Sequence, residues 1–174
     1  MKMIKLLILD IDGVMTGGTK VYGLDGLTMA KRYCDRDFTA IKQFKAAGVK
    51  VCFLSGDDKV NEAMAKNRKT DFYYSRGKNK TDFLSDFTKK YNCLLSQMAY
   101  VGDDIFDIPI MEKVGYSYCP KNVSNQVKEA ADWVIKRKSG DNVISTLYDI
   151  LLETNQIKPV TLQEIEELDR AETF

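Results

Sequence analysis

The chain has no histidine among its 174 residues. That absence excludes serine–histidine and cysteine–histidine nucleophile systems and histidine-ligated zinc, and it leaves proton transfer to carboxylates or lysines. Cysteine is scarce: Cys34, Cys52, Cys93 and Cys119 are widely spaced, and three of them lie in apolar segments. This argues against a disulfide framework or a thiolate zinc cluster and for a reducing cytoplasm. No apolar run approaches the length of a membrane span, and the early run Leu6–Leu9 is too short for a signal sequence. Net charge is nearly absent, with 26 basic against 25 acidic residues, so no broad field recruits nucleic acid or an anionic membrane. There is no internal repeat, low-complexity run or interdomain linker, and the length suits one domain with a real core.

What is present is a regular alternation of strand-like and helix-like segments. Ile4–Leu9, Val49–Leu54, Phe72–Tyr74, Met98–Val101, Gly115–Cys119 and Trp133–Ile135 read as short buried strands. Helices are expected over Arg36–Ala47, 57–67, Asn79–Tyr91, Ile105–Val114 and Val143–Leu152, with an acidic, exposed helical tail over Thr161–Ala171. Thr19–Tyr22 and Leu27–Tyr33 flank Gly23-Leu24-Asp25-Gly26 and predict a polar-tipped β-hairpin. The expected class is α/β: a Rossmann-like three-layer sandwich with a mostly parallel sheet, a hairpin flap (about 17–33) after the first strand and no separate cap domain. Residues 1–153 are expected to form the domain and 154–174 a C-terminal tail.

In such sheets ligands bind beyond the carboxyl ends of the strands. Four of those ends carry chemistry. Asp10 and Asp12 follow the first strand, two residues apart on an extended chain and so on one face, with Gly13 turning the backbone. Two carboxylates held that closely are costly unless a cation or a proton transfer uses them. Ser55-Gly56-Asp57 follows the second strand, where a hydroxyl and helix-start amides can hold an anion. Gly77-Lys78-Asn79-Lys80 follows the third, and Gly102-Asp103-Asp104 with Asp107 the fourth. Asp10, Asp12 and Asp103 supply hard oxygen ligands suited to Mg²⁺, while Ser55 and a lysine would take the remaining phosphate oxygens. Taken singly, Asp12-Gly13 can be a turn, Ser55-Gly56-Asp57 a helix cap, Lys78 or Lys80 a solvated charge and Asp104 a cap; their arrangement at successive strand ends favours chemistry.

These residues resemble the haloacid dehalogenase superfamily of phosphotransferases through Asp10-Ile-Asp12-Gly-Val-Met-Thr16, Ser55, Lys80, and Gly102-Asp103-Asp104 with Asp107, over about residues 4–150. The resemblance implies Mg²⁺-dependent phosphate-ester hydrolysis through an aspartyl-phosphate. Asp10 would be nucleophile and Asp12 general acid/base. Ser55, Gly56 and Lys80 would bind phosphate, with Lys80 also restraining Asp10. Asp10, the Asp12 carbonyl and Asp103 would hold the metal, with Asp107 orienting the lysine or the ligands. The small hairpin looks like that of the capless branch typified by 3-deoxy-octulosonate-8-phosphate phosphatases, whose members are tetramers with sites completed by neighbouring subunits. Asp35-Arg36-Asp37-Phe38 resembles that branch's stretch after the flap, with Phe38 in place of its glycine, and its Gly-rich tail motif is reduced to Lys138–Asn142. Asp57 replaces the usual arginine and is similar to the nine-carbon nonulosonate-9-phosphate phosphatases; Lys66 or Arg68 from a neighbour would then meet the sugar carboxylate. The expected substrate is a phosphorylated 2-keto-3-deoxy sugar acid. The alternatives are another small sugar phosphate, or a noncatalytic oligomerisation module like those fused to sialate-activating enzymes.

Overall fold

In the computed structural model, which describes residues 3–172, six parallel strands form one sheet and helices cover both of its faces. The strands are β1 (Leu6–Leu9), β4 (Lys50–Ser55), β5 (Asp71–Tyr74), β6 (Met98–Val101), β7 (Tyr116–Pro120) and β8 (Trp133–Ile135), between which β2 (Val21–Tyr22) and β3 (Thr28–Ala30) form a separate antiparallel hairpin. Spatial order is β5-β4-β1-β6-β7-β8. The chain builds outward from β1 to β5, then returns to the other side of β1 to lay down β6, so the sheet's switch in direction lies at β1. A crevice at the carboxyl ends follows from that reversal.

The helices are α1 (Asp35–Ala46), α2 (Lys59–Asn67), α3 (Leu84–Lys90), α4 (Ile108–Met111), α5 (Asn125–Ala130), α6 (Val143–Glu153) and α7 (Leu162–Asp169). Strand residues alternate between the faces, as a period of two requires. Leu7, Leu9, Val51, Phe53, Ala99 and Val101 pack against Phe44 of α1 and Leu147 of α6. Leu6, Ile8, Cys52, Leu54, Met98 and Tyr100 face Phe87 of α3 and Ile110 of α4. Burial on both faces explains why these strands read as unbroken apolar runs. Asp37 in α1 accepts hydrogen bonds from the amides of Ile144 (3.0 Å) and Ser145 (2.9 Å), capping α6 across the layer.

Three expectations are adjusted. The helix expected over Asn79–Tyr91 opens as a 3₁₀ turn, Lys80–Phe83, before α3, and that over Ile105–Val114 is a 3₁₀ turn, Ile105–Asp107, followed by the single α turn of α4. In both, a side chain claimed by the site (Lys80, Asp107) sits in the opening turn. The tail helix is mostly exposed, with Ile165 and Leu168 half-buried, and it is docked: Lys42 of α1 pairs with Asp169 and Glu172, and Arg68 pairs with Glu172 at 2.8 Å. Ahead of it, Ile157 is buried in the core.

Candidate active site

The carboxyl ends of β1, β4, β5 and β6 surround a cavity of about 660 Å³. Its lining includes Asp10, Asp12, Ser55, Gly56, Asp57, Lys80, Asp103 and Asp107, so the strand-end residues singled out in the sequence converge on one space. Arg68 is not among them; it lies beyond α2, its guanidinium 4.0 Å above the Phe38 ring and paired with Glu172 of its own tail.

Asp10 is buried at the floor. The amide of Ile11 donates to its Oδ1 at 2.6 Å, and Lys80 Nζ donates to its Oδ2 at 2.8 Å. Lys80 is itself buried and also meets the Tyr100 hydroxyl (3.0 Å) and Asp107 Oδ1 (2.5 Å). Burial alone would lower its pKa, but the two carboxylates reverse that and hold it above the usual lysine range. Asp107 uses its other oxygen to accept the amides of Asp103 (2.9 Å) and Asp104 (3.0 Å), which fixes the turn after β6. Gly102 is needed there, because an added Cβ would lie 2.5 Å from Asp107 Oδ2. Asp104 accepts from the Ile105 amide at 2.7 Å and so serves as a cap.

Asp103 leans over Gly13: a Cβ at Gly13 would fall 1.8 Å from Asp103 Oδ2, and the glycine's φ of +88° is disfavoured for other residues. This contact brings the loops after β1 and β6 together. Burial, then Asp10 and Asp107, push the Asp103 carboxyl up to about 8; burial chiefly also lifts Asp10 to about 6. Asp103 Oδ1 is buried without a hydrogen-bond partner, and oxygens of Asp10, Asp103 and Asp107 lie within 4.8 Å of one another. A set of hard, like-charged oxygens with one buried atom unpartnered fits a divalent cation. Each Asp107 oxygen already accepts two hydrogen bonds, from Lys80 and Tyr100 and from the Asp103 and Asp104 amides, whereas each Asp10 oxygen accepts one, which leaves Asp10 and Asp103 as the side chains able to hold the cation.

On the opposite wall the sequence reading missed a second network. Lys31, whose side chain is fully shielded, pairs with Asp12 (2.8 Å) and Asp57 (2.7 Å); Lys20 pairs with Asp57 at 3.0 Å and lies 3.9 Å from Asp12. Burial would raise the Asp57 carboxyl, but the two lysines outweigh it and hold it down to about 2. Asp57 does not cap α2, since Asp58 takes the Lys59 amide at 2.7 Å. Asn61 bridges Asp12 and Ser55 at 3.2 and 3.1 Å. The signal for Asn61 was a polar residue sharing a helix face with Ala65, four positions on and buried with it. Lys31 and Tyr100 offered less: one ends a short hairpin strand, and the other sits inside an apolar run.

A strand-end crevice with acidic oxygens on both sides of a buried lysine suits phosphoryl chemistry, and the relatives of this chain make it a hydrolase of phosphoric monoesters. The chain belongs to the haloacid dehalogenase-like hydrolase family, whose model matches residues 58–147. It is 31% identical over 150 residues to the 3-deoxy-D-manno-octulosonate 8-phosphate phosphatase of Escherichia coli K12, covering 86% of this chain and 79% of that one. Among solved structures, the cobalt-bound deoxy-D-mannose-octulosonate 8-phosphate phosphatase of Haemophilus influenzae superposes with a TM-score of 0.82 at 28% identity, covering 88% of this chain and 86% of that one. The 3-deoxy-D-manno-octulosonate 8-phosphate phosphatase of Yersinia pestis gives 0.81 at 27% identity, with coverages of 91% and 88%. Among the described residues no helix is long and apolar enough to cross a membrane.

Proposed function

We propose that this protein is a Mg²⁺-dependent phosphatase of a phosphorylated 2-keto-3-deoxy sugar acid, an octulosonate 8-phosphate or nonulosonate 9-phosphate, acting through an aspartyl-phosphate. The observation that carries the reading is Asp10: a buried carboxylate at the cavity floor, with one oxygen held by the Ile11 amide and the other by Lys80. Both contacts aim the group without consuming all its lone pairs.

In this scheme an Asp10 oxygen attacks phosphorus while the phosphorus–sugar oxygen bond breaks, and Asp12 gives its proton to the departing alkoxide. Asp12 then takes a proton from water, whose oxygen attacks the phosphoryl group and releases Asp10 and inorganic phosphate. Lys80, the Ser55 hydroxyl and the Gly56 amide offset phosphoryl charge. Asp10, Asp103 and the backbone carbonyl of Asp12 would hold the Mg²⁺, which when bound screens the carboxylates from the incoming phosphate and polarises the phosphorus centre. The relatives' named substrate, an octulosonate 8-phosphate, supports a sugar-acid ester; the preference for the nine-carbon ester rests on the resemblance at Asp57, which lines the cavity. Lys66 of a neighbouring subunit would bind the ester's carboxylate; Arg68 could do so only by giving up its pairing with Glu172.

The flap supports assembly into a tetramer. Val21, Tyr22, Leu24 and Met29 are more than half exposed on a two-stranded hairpin that cannot bury them alone. The test of function is a phosphate-release screen with Mg²⁺ over octulosonate, nonulosonate and N-acetylneuraminate phosphates and hexose phosphates. Preferred turnover of a sugar-acid ester supports the reading. Comparable turnover of all of them points to a general small sugar phosphatase, and none at all to a noncatalytic module.

A further inference from the structure

Asn61 of α2 is wholly buried. Its Nδ2 shares two hydrogens among three acceptors, Asp12 Oδ2 (3.2 Å), Ser55 Oγ (3.1 Å) and the Asp57 carbonyl (3.2 Å), and its Oδ1 accepts from Lys31 Nζ (2.8 Å) and the Tyr33 hydroxyl (3.0 Å). The orientation of the amide follows from its neighbours. A backbone carbonyl and a carboxylate acceptor lie on one side, and a lysine, which can only donate, lies on the other. Every polar atom of Asn61 is therefore spoken for, by four different segments: the turn after β1, the end of β4, the start of α2 and the root of the flap.

We propose that Asn61 is a positioning residue that holds Asp12 and Ser55 in one frame. The inference rests on the reading of Asp12 as the acid that protonates the leaving oxygen. Two consequences follow from the hydrogen count. Ser55 Oγ accepts from Asn61 Nδ2 and from the Asp57 amide (3.4 Å), so both its lone pairs are engaged and its O–H is free to serve a phosphate oxygen in the cavity it lines. By donating to Asp12 Oδ2 beside Lys31, Asn61 restricts rotation of that carboxyl group about its terminal bond, a torsion that is otherwise broad. Tyr33 and Lys31 hold the amide from behind, so the flap's root and the acid are parts of one rigid unit. A small misplacement of an acid is expected to slow its step by roughly 100-fold.

A role in fold alone would slow all substrates together; a role in placing the acid slows only those whose leaving group needs a proton. The experiment compares kcat for glucose 6-phosphate, an alkyl ester, and p-nitrophenyl phosphate, whose phenolate departs unprotonated, in native protein, Asn61→Leu and Asp12→Asn. Asn61→Leu is expected to lose roughly 10- to 100-fold on the alkyl ester and under ~3-fold on the aryl ester, with KM raised alike for both through Ser55. Asn61→Asp keeps the acceptor for Lys31 and Tyr33 while removing both donors. It is expected to reproduce the split, and it carries the comparison if the leucine variant does not fold. Equal losses on both esters, or none on either, overturn the proposal. If Asp12→Asn itself fails to discriminate between the esters, the assignment of the acid fails and takes this inference with it. If Asp12→Asn discriminates and the Asn61 variants do not, only the positioning role is lost.

Discussion

Asp103→Asn should make the cation-free protein more stable. Asp103 sits over Gly13 among Asp10 and Asp107, and its carboxyl is pushed from 3.8 to about 8. The folded state therefore holds this proton more tightly than the unfolded chain does. Stability from the group is fully present below about pH 4 and drains away as pH rises through about 8. Asp10, lifted to about 6, contributes to the earlier part of the same decline. At ~1.4 kcal/mol per unit of pKa the ceiling is several kcal/mol; water entry and relaxation around buried charges reduce it, so ~2 kcal/mol is expected at pH 8. For a chain of this size that is a Tm rise of ~4–8 °C on removing the charge. The assay is thermal unfolding in a chelator from pH 5 to pH 8.5, repeated in Mg²⁺. Native protein should lose Tm with rising pH in chelator and recover it with the ion, by ~2.7 kcal/mol at a hundredfold excess over Kd. Asp103→Asn should be flatter with pH and deaf to Mg²⁺. A native Tm that does not fall between pH 5 and pH 8.5, or a variant less stable than native in chelator at pH 8, would refute the electrostatic reasoning.

Other substitutions separate chemistry from folding. Asp10→Asn should abolish phosphate release with Mg²⁺ while leaving the fold intact by circular dichroism; substantial remaining turnover would rule out the aspartyl-phosphate. Lys80→Met leaves Asp10 and Asp107 buried without their cation and should cost ~3 kcal/mol, read as a fall in the urea midpoint. Gly13→Ala forces apart the two loops that meet at Asp103 and should eliminate Mg²⁺-induced stabilisation, measured by calorimetric titration. Asp57→Ala should change kcat/KM on the nine-carbon ester more than on the eight-carbon one; equal, negligible effects on both would remove Asp57 from substrate selection.

The central strands were legible because they are buried on both faces and their apolar runs end abruptly in polar residues; Met98–Val101 and, at the sheet edge, Trp133–Ile135 have the bounds expected from sequence alone. The acidic wall of the site was legible for the same reason: Asp10 and Asp103 come just after strands, and Asp107 in the turn that follows. The second wall was not. Lys31 reaches Asp12 and Asp57 through a hairpin fold-back, and Asn61 reaches them from inside a helix, so neither contact has a local sequence signature. The two 3₁₀ openings were read as α because periodicity registers apolar spacing, whereas Lys80 and Asp107 are drawn inward by each other. Docking of the tail was hidden in single charges: Lys42 carried no local signal, and Arg68, expected to meet a sugar carboxylate, pairs with Glu172 of its own chain.

The meeting of Asp103 with Gly13 also bears on how the chain matures. The two residues lie in the loops after neighbouring strands that are far apart in sequence, with β4 and β5 laid down between them. An amino-terminal folding intermediate holding only β1, β4 and β5 would display Asp10 and Asp12 but no complete cation cradle. Such a pairing of distant segments is among the slower steps of assembly. Divalent cations should therefore slow unfolding rather than speed folding, acting as a seal on the finished sheet and discriminating complete molecules from those still in progress.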